Sequence, residues 1–153
     1  MPYLFSYGSN NIIQLSKRIK RNILKSEIIP AYIENYTRIF CFYSSKWNGS
    51  VASIYPDKDK LVFGSLIMLN EKELHKLDKF ETNYKRKMIN VYDNYFNKLN
   101  AHVYICNDTK FVKEPSEDYL NNIKTNIYES WKIKTERVPI YIKTKNGIQL
   151  YKK

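Results

Sequence analysis

The chain has 153 residues, 43% of them hydrophobic and 27% charged, a balance that excludes a disordered or fibrous chain and fits one globular domain over 1–153. At this length a domain hides roughly 70% of the surface its unfolded chain would expose, so a sizeable core is available. Twenty-six Lys and Arg against fifteen Asp and Glu leave a net charge of +11, a sign that suits a nucleic-acid or anionic-surface partner.

That partner is disfavoured by the kind of cation present. Lys outnumbers Arg 21 to 5, whereas bidentate recognition of bases and phosphates favours Arg. The runs Lys17 to Arg21, Lys85 to Lys87 and Lys143 to Lys153 read as solvated faces. No apolar run approaches the ~18 to 20 residues of a membrane span, and no basic region precedes a long apolar stretch at the amino terminus. The expectation is a cytoplasmic protein with no membrane contact. Cys41 and Cys106 sit inside apolar runs, where a thiol packs as a small hydrophobe. His75 and His102 are far from each other and from both cysteines in sequence, so no zinc cluster is expected.

In chain order, Tyr3 to Ser6 reads as a short buried strand that runs into Tyr7-Gly8-Ser9-Asn10 and then an amphipathic helix over Asn11 to Lys20. Strands are predicted at Ile28 to Ile33, Thr37 to Tyr43, Ser50 to Tyr55, Leu61 to Met68, Lys87 to Asp93 and Ala101 to Cys106, many rich in β-branched and aromatic residues. Pro56 to Lys60 reads as a turn between two of them, and Asp93-Asn94 with Asn97 to Asn100 as a hairpin connection. A helix from Glu71 to Asp78 carries Asn70 as N-cap and Glu73 as its capping-box partner, delivering the chain to Glu81. Ser116 caps a longer helix whose Tyr119, Leu120, Ile123, Ile127, Tyr128 and Trp131 form one apolar stripe. Arg137 to Ile142 is a last strand with Pro139 at an edge or entry position, and the Lys-rich end is expected to fray. No internal repeat or low-complexity linker separates a second domain.

Two places could carry chemistry. In Tyr7-Gly8-Ser9-Asn10 the glycine permits a sharp turn, and amides at the start of the following helix suit a bound carboxylate. Ser9 or Asn10 would equally serve as an ordinary helix cap. Glu81 lies beside Phe80 just beyond a helix, where an apolar setting would raise its pKa and make it a better proton acceptor near neutral pH. Lys79, Lys85 or Arg86 could instead simply pair with it.

Leu4-Phe5-Ser6-Tyr7-Gly8-Ser9-Asn10 resembles the first strand and YGSN loop of the γ-glutamylcyclotransferase family. Trp47 to Ile54 and Val62 to Leu66 resemble two further strands of that family, and Leu77-Asp78, Glu81, Tyr84 and Arg86 its acid/base motif. Thr82 stands where many members have glycine, and the Glu81 to Tyr84 spacing is short. The resemblance implies an α+β fold, a mixed and largely antiparallel β-barrel-like sheet flanked by a few helices. It implies cyclisation of a small-molecule γ-glutamyl substrate to 5-oxoproline without a cofactor, with Glu81 as general acid/base. Leu4, Phe5, Ser6, Tyr7, Gly8, Ser9 and Tyr119 would hold the substrate, Tyr119 with an equally good claim to a packing role. Arg86 and Trp47 read as structural. A γ-glutamylamine cyclotransferase, or a non-catalytic anion-binding protein on the same fold, are the alternatives; the oligomeric state is not legible.

Overall fold

Alternation decides the first strand. In the computed structural model, which describes residues 2–152, β1 (Tyr3–Ser6) sends Leu4 into one core cluster and Phe5 into another, as a period of two requires. The remaining strands are β2 (Ile29–Ser44), β3 (Gly49–Met68), β4 (Tyr84–Asp93) and β5 (Lys98–Cys106), followed by β6 (Ile140–Thr144) and β7 (Gly147–Lys152). They hydrogen-bond in the order β3-β1-β5-β4-β2-β6-β7, and β2 pairs again with β3. That last pairing closes β3, β1, β5, β4 and β2 into a five-strand barrel, from which β6 and β7 extend. All pairings are antiparallel except β1 with β5 and β2 with β6.

Two pairs of predicted strands turn out to be single long ones. Ile28 to Ile33 joins Thr37 to Tyr43 in β2, and Ser50 to Tyr55 joins Leu61 to Met68 in β3. Pro56 to Lys60, expected to reverse the chain, instead forms a bulge: Glu34 pairs with Leu61 and Tyr36 with Pro56, so residues 57–60 are accommodated opposite Asn35 alone. Asn35 and Asp59 take left-handed backbone at φ 65° and 66°, and Asp59 N donates to Asn35 Oδ1 at 3.0 Å. Turn-forming residues therefore bend this ribbon without ending it. The Lys-rich end pairs as a β6–β7 hairpin over Thr144 and Gly147, the latter at φ 103°, where fraying was expected. β6 begins at Ile140, directly after Pro139.

Among the described residues three α-helices flank the barrel, α1 (Ile12–Ile19), α2 (Glu71–Asp78) and α3 (Glu117–Trp131), with one 3-10 turn at Lys25–Glu27. The α2 capping box forms with both arms, Glu73 N to Asn70 Oδ1 at 2.8 Å and Asn70 N to Glu73 Oε1 at 3.0 Å. Among the described residues no helix is long and apolar enough to cross a membrane. Inside the barrel Phe5, Phe40, Ile54, Leu66 and Val103 meet Tyr119 and Ile123 of α3. Leu15, Ile19, Leu74 and Leu77 of α1 and α2 pack on Leu4 and Ile67. Cys41 and Cys106 are free and buried.

Gly64 of β3 sets how closely β1 approaches. A Cβ there would overlap Ser6 O and come within 3.0 Å of the Phe5 ring. Gly64→Ala is expected to destabilise by about 1–3 kcal/mol, the usual cost of overpacking. Thermal denaturation should show a Tm lower by about 2–4 °C per kcal/mol for a chain of this size.

Candidate functional site

The turn after β1 has its carbonyls committed to protein. Ser6 O and Gly8 O accept from Asn126 Nδ2 of α3 at 3.1 and 3.3 Å, and Tyr7 O accepts from Arg38 Nε at 2.9 Å. Among the described residues the amides of Gly8, Ser9 and Asn10 donate to no acceptor. A turn with its acceptors satisfied and its donors open is electropositive toward whatever faces it.

Neither Ser9 nor Asn10 caps α1. Asn11 does, its side chain accepting from Gln14 N at 3.0 Å, while the Ile12 amide donates to Glu129 Oε1 of α3 at 3.0 Å. The first helical amide therefore already has an anion, and the open donors lie one step earlier, in the turn itself. Release from capping leaves the Asn10 side chain free to reach across: Nδ2 donates to Glu81 Oε1 at 3.1 Å, and Oδ1 accepts from Arg18 Nη1 at 3.0 Å. Gly8 has no positive φ, and a Cβ there would lie 3.6 Å from Tyr119 Oη and 3.8 Å from the Ala52 Cβ. Its lack of a side chain leaves open space toward Tyr119, and backbone freedom is not what the position requires.

Glu81 is fixed by the turn that follows α2, where its N–H donates to Asp78 O at 3.1 Å and its carbonyl accepts from Tyr84 N at 3.0 Å. Its side chain is 10% exposed and forms an ion pair with Arg18 Nη1 at 2.7 Å, Arg18 being equally buried. Both polar contacts fall on Oε1; among the described residues Oε2 has no hydrogen-bond partner. Burial pushes the carboxyl above its ordinary 4.5, against the opposing charge of Arg18, the Asn10 hydrogen bond and the charge of Lys46. Desolvation wins over three stabilising neighbours.

Tyrosines complete the walls. The Tyr84 hydroxyl donates to Ala52 O at 2.7 Å, and the Tyr7 hydroxyl donates to Tyr104 O. The Tyr119 hydroxyl accepts from Ala52 N at 2.7 Å, which leaves its own proton to donate. Burial raises all three phenols well above the ordinary 10, so they stay protonated through the physiological range.

Leu4, Phe5, Ser6, Tyr7, Gly8, Ser9 and Asn10 line one cavity together with Ala52, Glu81, Tyr84, Tyr104 and Tyr119. The structure thus places Glu81, the β1 turn and Tyr119 around a shared space. At about 40 Å³ that space is small. A larger hollow of about 330 Å³ adjoins it, sharing Glu81, Tyr84 and Tyr104 and lined further by Asp78, Arg86 and His102. Tyr119 packs in the core, 3% exposed, and also lines the cavity.

Sequence reasoning missed Arg18, Ala52 and Tyr104, and read Asn10 only as part of the turn or as a helix cap. Arg18 carried a signal, because Asn11, Leu15 and Arg18 fall at i, i+4 and i+7, the stripe that α1 buries. A cation on a buried stripe needs a carboxylate. The partners expected for Glu81, namely Lys79, Lys85 or Arg86, are not used: Arg86 pairs with Asp78 at 3.0 Å and contacts His102 at 3.2 Å. Lys17 to Arg21 is accordingly not a purely solvated run, since Arg21 also pairs, with Glu27 and Glu73. Trp47 packs edge-on against Tyr119 with ring centroids 5.1 Å apart, the structural role its sequence suggested.

A closed, mixed five-strand barrel with three helices defines an α+β fold of the γ-glutamyl cyclotransferase kind. The chain belongs to the family described as gamma-glutamyl cyclotransferase, AIG2-like, whose model matches residues 4–132. Among solved structures it is similar to one described as a gamma-glutamyl cyclotransferase, with 20% identity over 84% of this chain and 79% of that one and a TM-score of 0.72. It is also similar to an uncharacterized protein from Homo sapiens, with 20% identity, the same coverage and a TM-score of 0.68. YkqA from Bacillus subtilis matches at 18% identity with a TM-score of 0.71 over 82% of this chain, which spans about half (48%) of that protein. No curated protein sequence matches.

Proposed function

We propose that this chain is a γ-glutamyl cyclotransferase in which Glu81 is the general acid/base and the Leu4 to Ser9 segment, with Tyr119, holds the glutamyl end of the substrate. The observation that carries the reading is a buried carboxylate with one free oxygen sharing a cavity with a turn whose amides are open. Burial makes Glu81 a stronger base than an exposed glutamate. The open amides of Gly8, Ser9 and Asn10 suit the substrate carboxylate or the oxyanion that develops on the γ-carbonyl.

In the proposed reaction the substrate's α-amine attacks its own γ-amide carbonyl. A new N–C bond closes the five-membered ring, the original C–N amide bond breaks, and 5-oxoproline leaves with a free amine. Glu81 Oε2 accepts the proton lost by the attacking nitrogen and returns it to the departing one, so the carboxylate is regenerated each cycle. Oε1, held by Asn10 and Arg18, keeps the group aimed. Positioning of this sort is worth roughly 7 to 11 kcal/mol in favourable intramolecular cases, at least as much as the proton transfer. The adjoining hollow, which shares Glu81, Tyr84 and Tyr104 with the cavity, takes the leaving amine.

The test is incubation of the purified chain with γ-glutamyl amino acids, γ-glutamyl amines and glutathione, followed by measurement of 5-oxoproline. Release from at least one compound supports the proposal, and silence across the panel with folded protein removes it. Gly8→Ala separates cavity from fold. The added methyl makes only ordinary contacts at 3.6 and 3.8 Å, so Tm should hold, but it occupies space the glutamyl group needs. KM for the best substrate should rise by about tenfold or more, equivalent to about 1.4 kcal/mol of lost binding.

A further inference from the structure

We propose that the cavity between α3 and the bulged stretch of β2 and β3 is a second small-molecule site, suited to an apolar compound that carries a carboxylate. It measures about 380 Å³, within the ~300–1,000 Å³ range of ligand pockets, and shares no lining residue with the Glu81 cavity. Phe63, Trp131, Ile127 and Ile133 supply apolar wall, and Arg38 stands among them.

Arg38 is the feature that assigns the ligand's charge. Its Nε is fixed on Tyr7 O at 2.9 Å and its Nη2 on Phe63 O at 3.1 Å, both neutral carbonyls. Among the described residues no carboxylate pairs with it, and Nη1 makes no hydrogen bond. Asp57, the acidic residue of the lining, already accepts from Thr37 Oγ1 at 2.7 Å, and Lys60 adds a second cation. Arg38 and Lys60 against Asp57 leave the lining at +1. Burial lowers the Arg38 guanidinium to about 10, so it remains a cation at neutral pH. A cation held in place, partly desolvated and lacking a counter-ion is a recognition element for an anion, and a planar guanidinium matches a carboxylate. The walls around it select a carboxylate with an apolar body. None of this depends on the role given to Glu81.

The experiment is titration calorimetry of the full chain with 3-phenylpropionate and its neutral amide, 3-phenylpropanamide, in the parent, Arg38→Met and Ile133→Glu. Saturable binding of the acid at one site is expected, about tenfold or more tighter than the amide, as loss of a charge-assisted hydrogen bond implies. Ile133 is 57% exposed, so Ile133→Glu adds a repelling charge without disturbing the core. It should weaken the acid several-fold with Tm unchanged, and Arg38→Met should abolish the acid's advantage. Since Arg38 also steadies the barrel, Ile133→Glu and the acid-against-amide comparison stand even where Arg38→Met fails to fold. Equal binding of acid and amide, no saturable binding at millimolar acid, binding unmoved by both substitutions, or burial of the cavity by self-association in sedimentation would each overturn the assignment.

Discussion

Glu81→Gln is expected to lower the rate of 5-oxoproline release by about 10²- to 10⁴-fold, the usual contribution of a positioned general acid/base. Gln matches Glu in size and can still accept from Asn10 Nδ2 and Arg18 Nη1 through its carbonyl oxygen. It cannot take a proton. Stability responds through two opposed effects. The folded-state pKa of Glu81 is raised, so the native state is favoured while the carboxyl is protonated below its unfolded pKa, and that advantage is lost as pH rises through the folded pKa. Above it, the buried charge is a burden that Gln removes. Removing the charge also leaves the Arg18 guanidinium without its anion, with Asn10 Oδ1 still accepting from it, which offsets part of that relief. The pKa is raised with Arg18 already in place, so the first effect is the larger: Gln should hold or raise Tm at pH 7 with native circular dichroism retained, and adding Arg18→Met should remove the offset. Parent-like turnover by folded Glu81→Gln would take Glu81 out of the mechanism.

Arg18→Met should lower kcat by about 10²-fold, the scale of a misplaced catalytic group. It should also shift the pH profile in a direction that simple loss of packing would not produce. Arg18 opposes the effect of burial on Glu81, so without it the carboxyl pKa rises further above 4.5 and the acid limb of kcat/KM moves to higher pH. Lys46 also faces Glu81 and would remain, so part of the depression persists. Met fills the space beside Phe80 that the Arg18 guanidinium occupies at 5.2 Å from the ring centroid. A kcat loss with an unmoved acid limb would reduce Arg18 to packing; a shifted limb identifies it as the group that sets and aims Glu81.

The helices were legible from sequence because their signals are local. Asn70 with Glu73 and Ser116 specify caps within one turn of chain, whereas the apolar stripe read for α3 found the buried Tyr119 and Ile123 but missed the buried Asn126 and Ser130 and included the exposed Tyr128. The order of strands around the barrel was not, because pairing joins residues far apart, such as Ser6 with Ser65 and Tyr3 with Ala101, and no local pattern encodes a partner. Pro56 to Lys60 misled for a related reason: the same residues serve a turn or a bulge, and only the partner strand, here Glu34 to Tyr36, decides which. At the candidate site, Glu81 and the Tyr7 to Asn10 turn stood out through a family resemblance. Neither was distinguishable from a solvated glutamate and a helix cap by local chemistry.

The residues alone fixed an amphipathic α1, a capped α2 that ends just before Glu81, and a glycine in the turn after β1, all consequences of short-range hydrogen bonding and apolar spacing. Only the tertiary structure made Asn11 the cap in place of Asn10, turned Arg18 inward, and set both Asn10 and Arg18 against a carboxylate more than sixty residues away. The reason is dielectric as much as geometric. A side chain's burial, and with it the pKa of Glu81, depends on what the rest of the barrel puts around it.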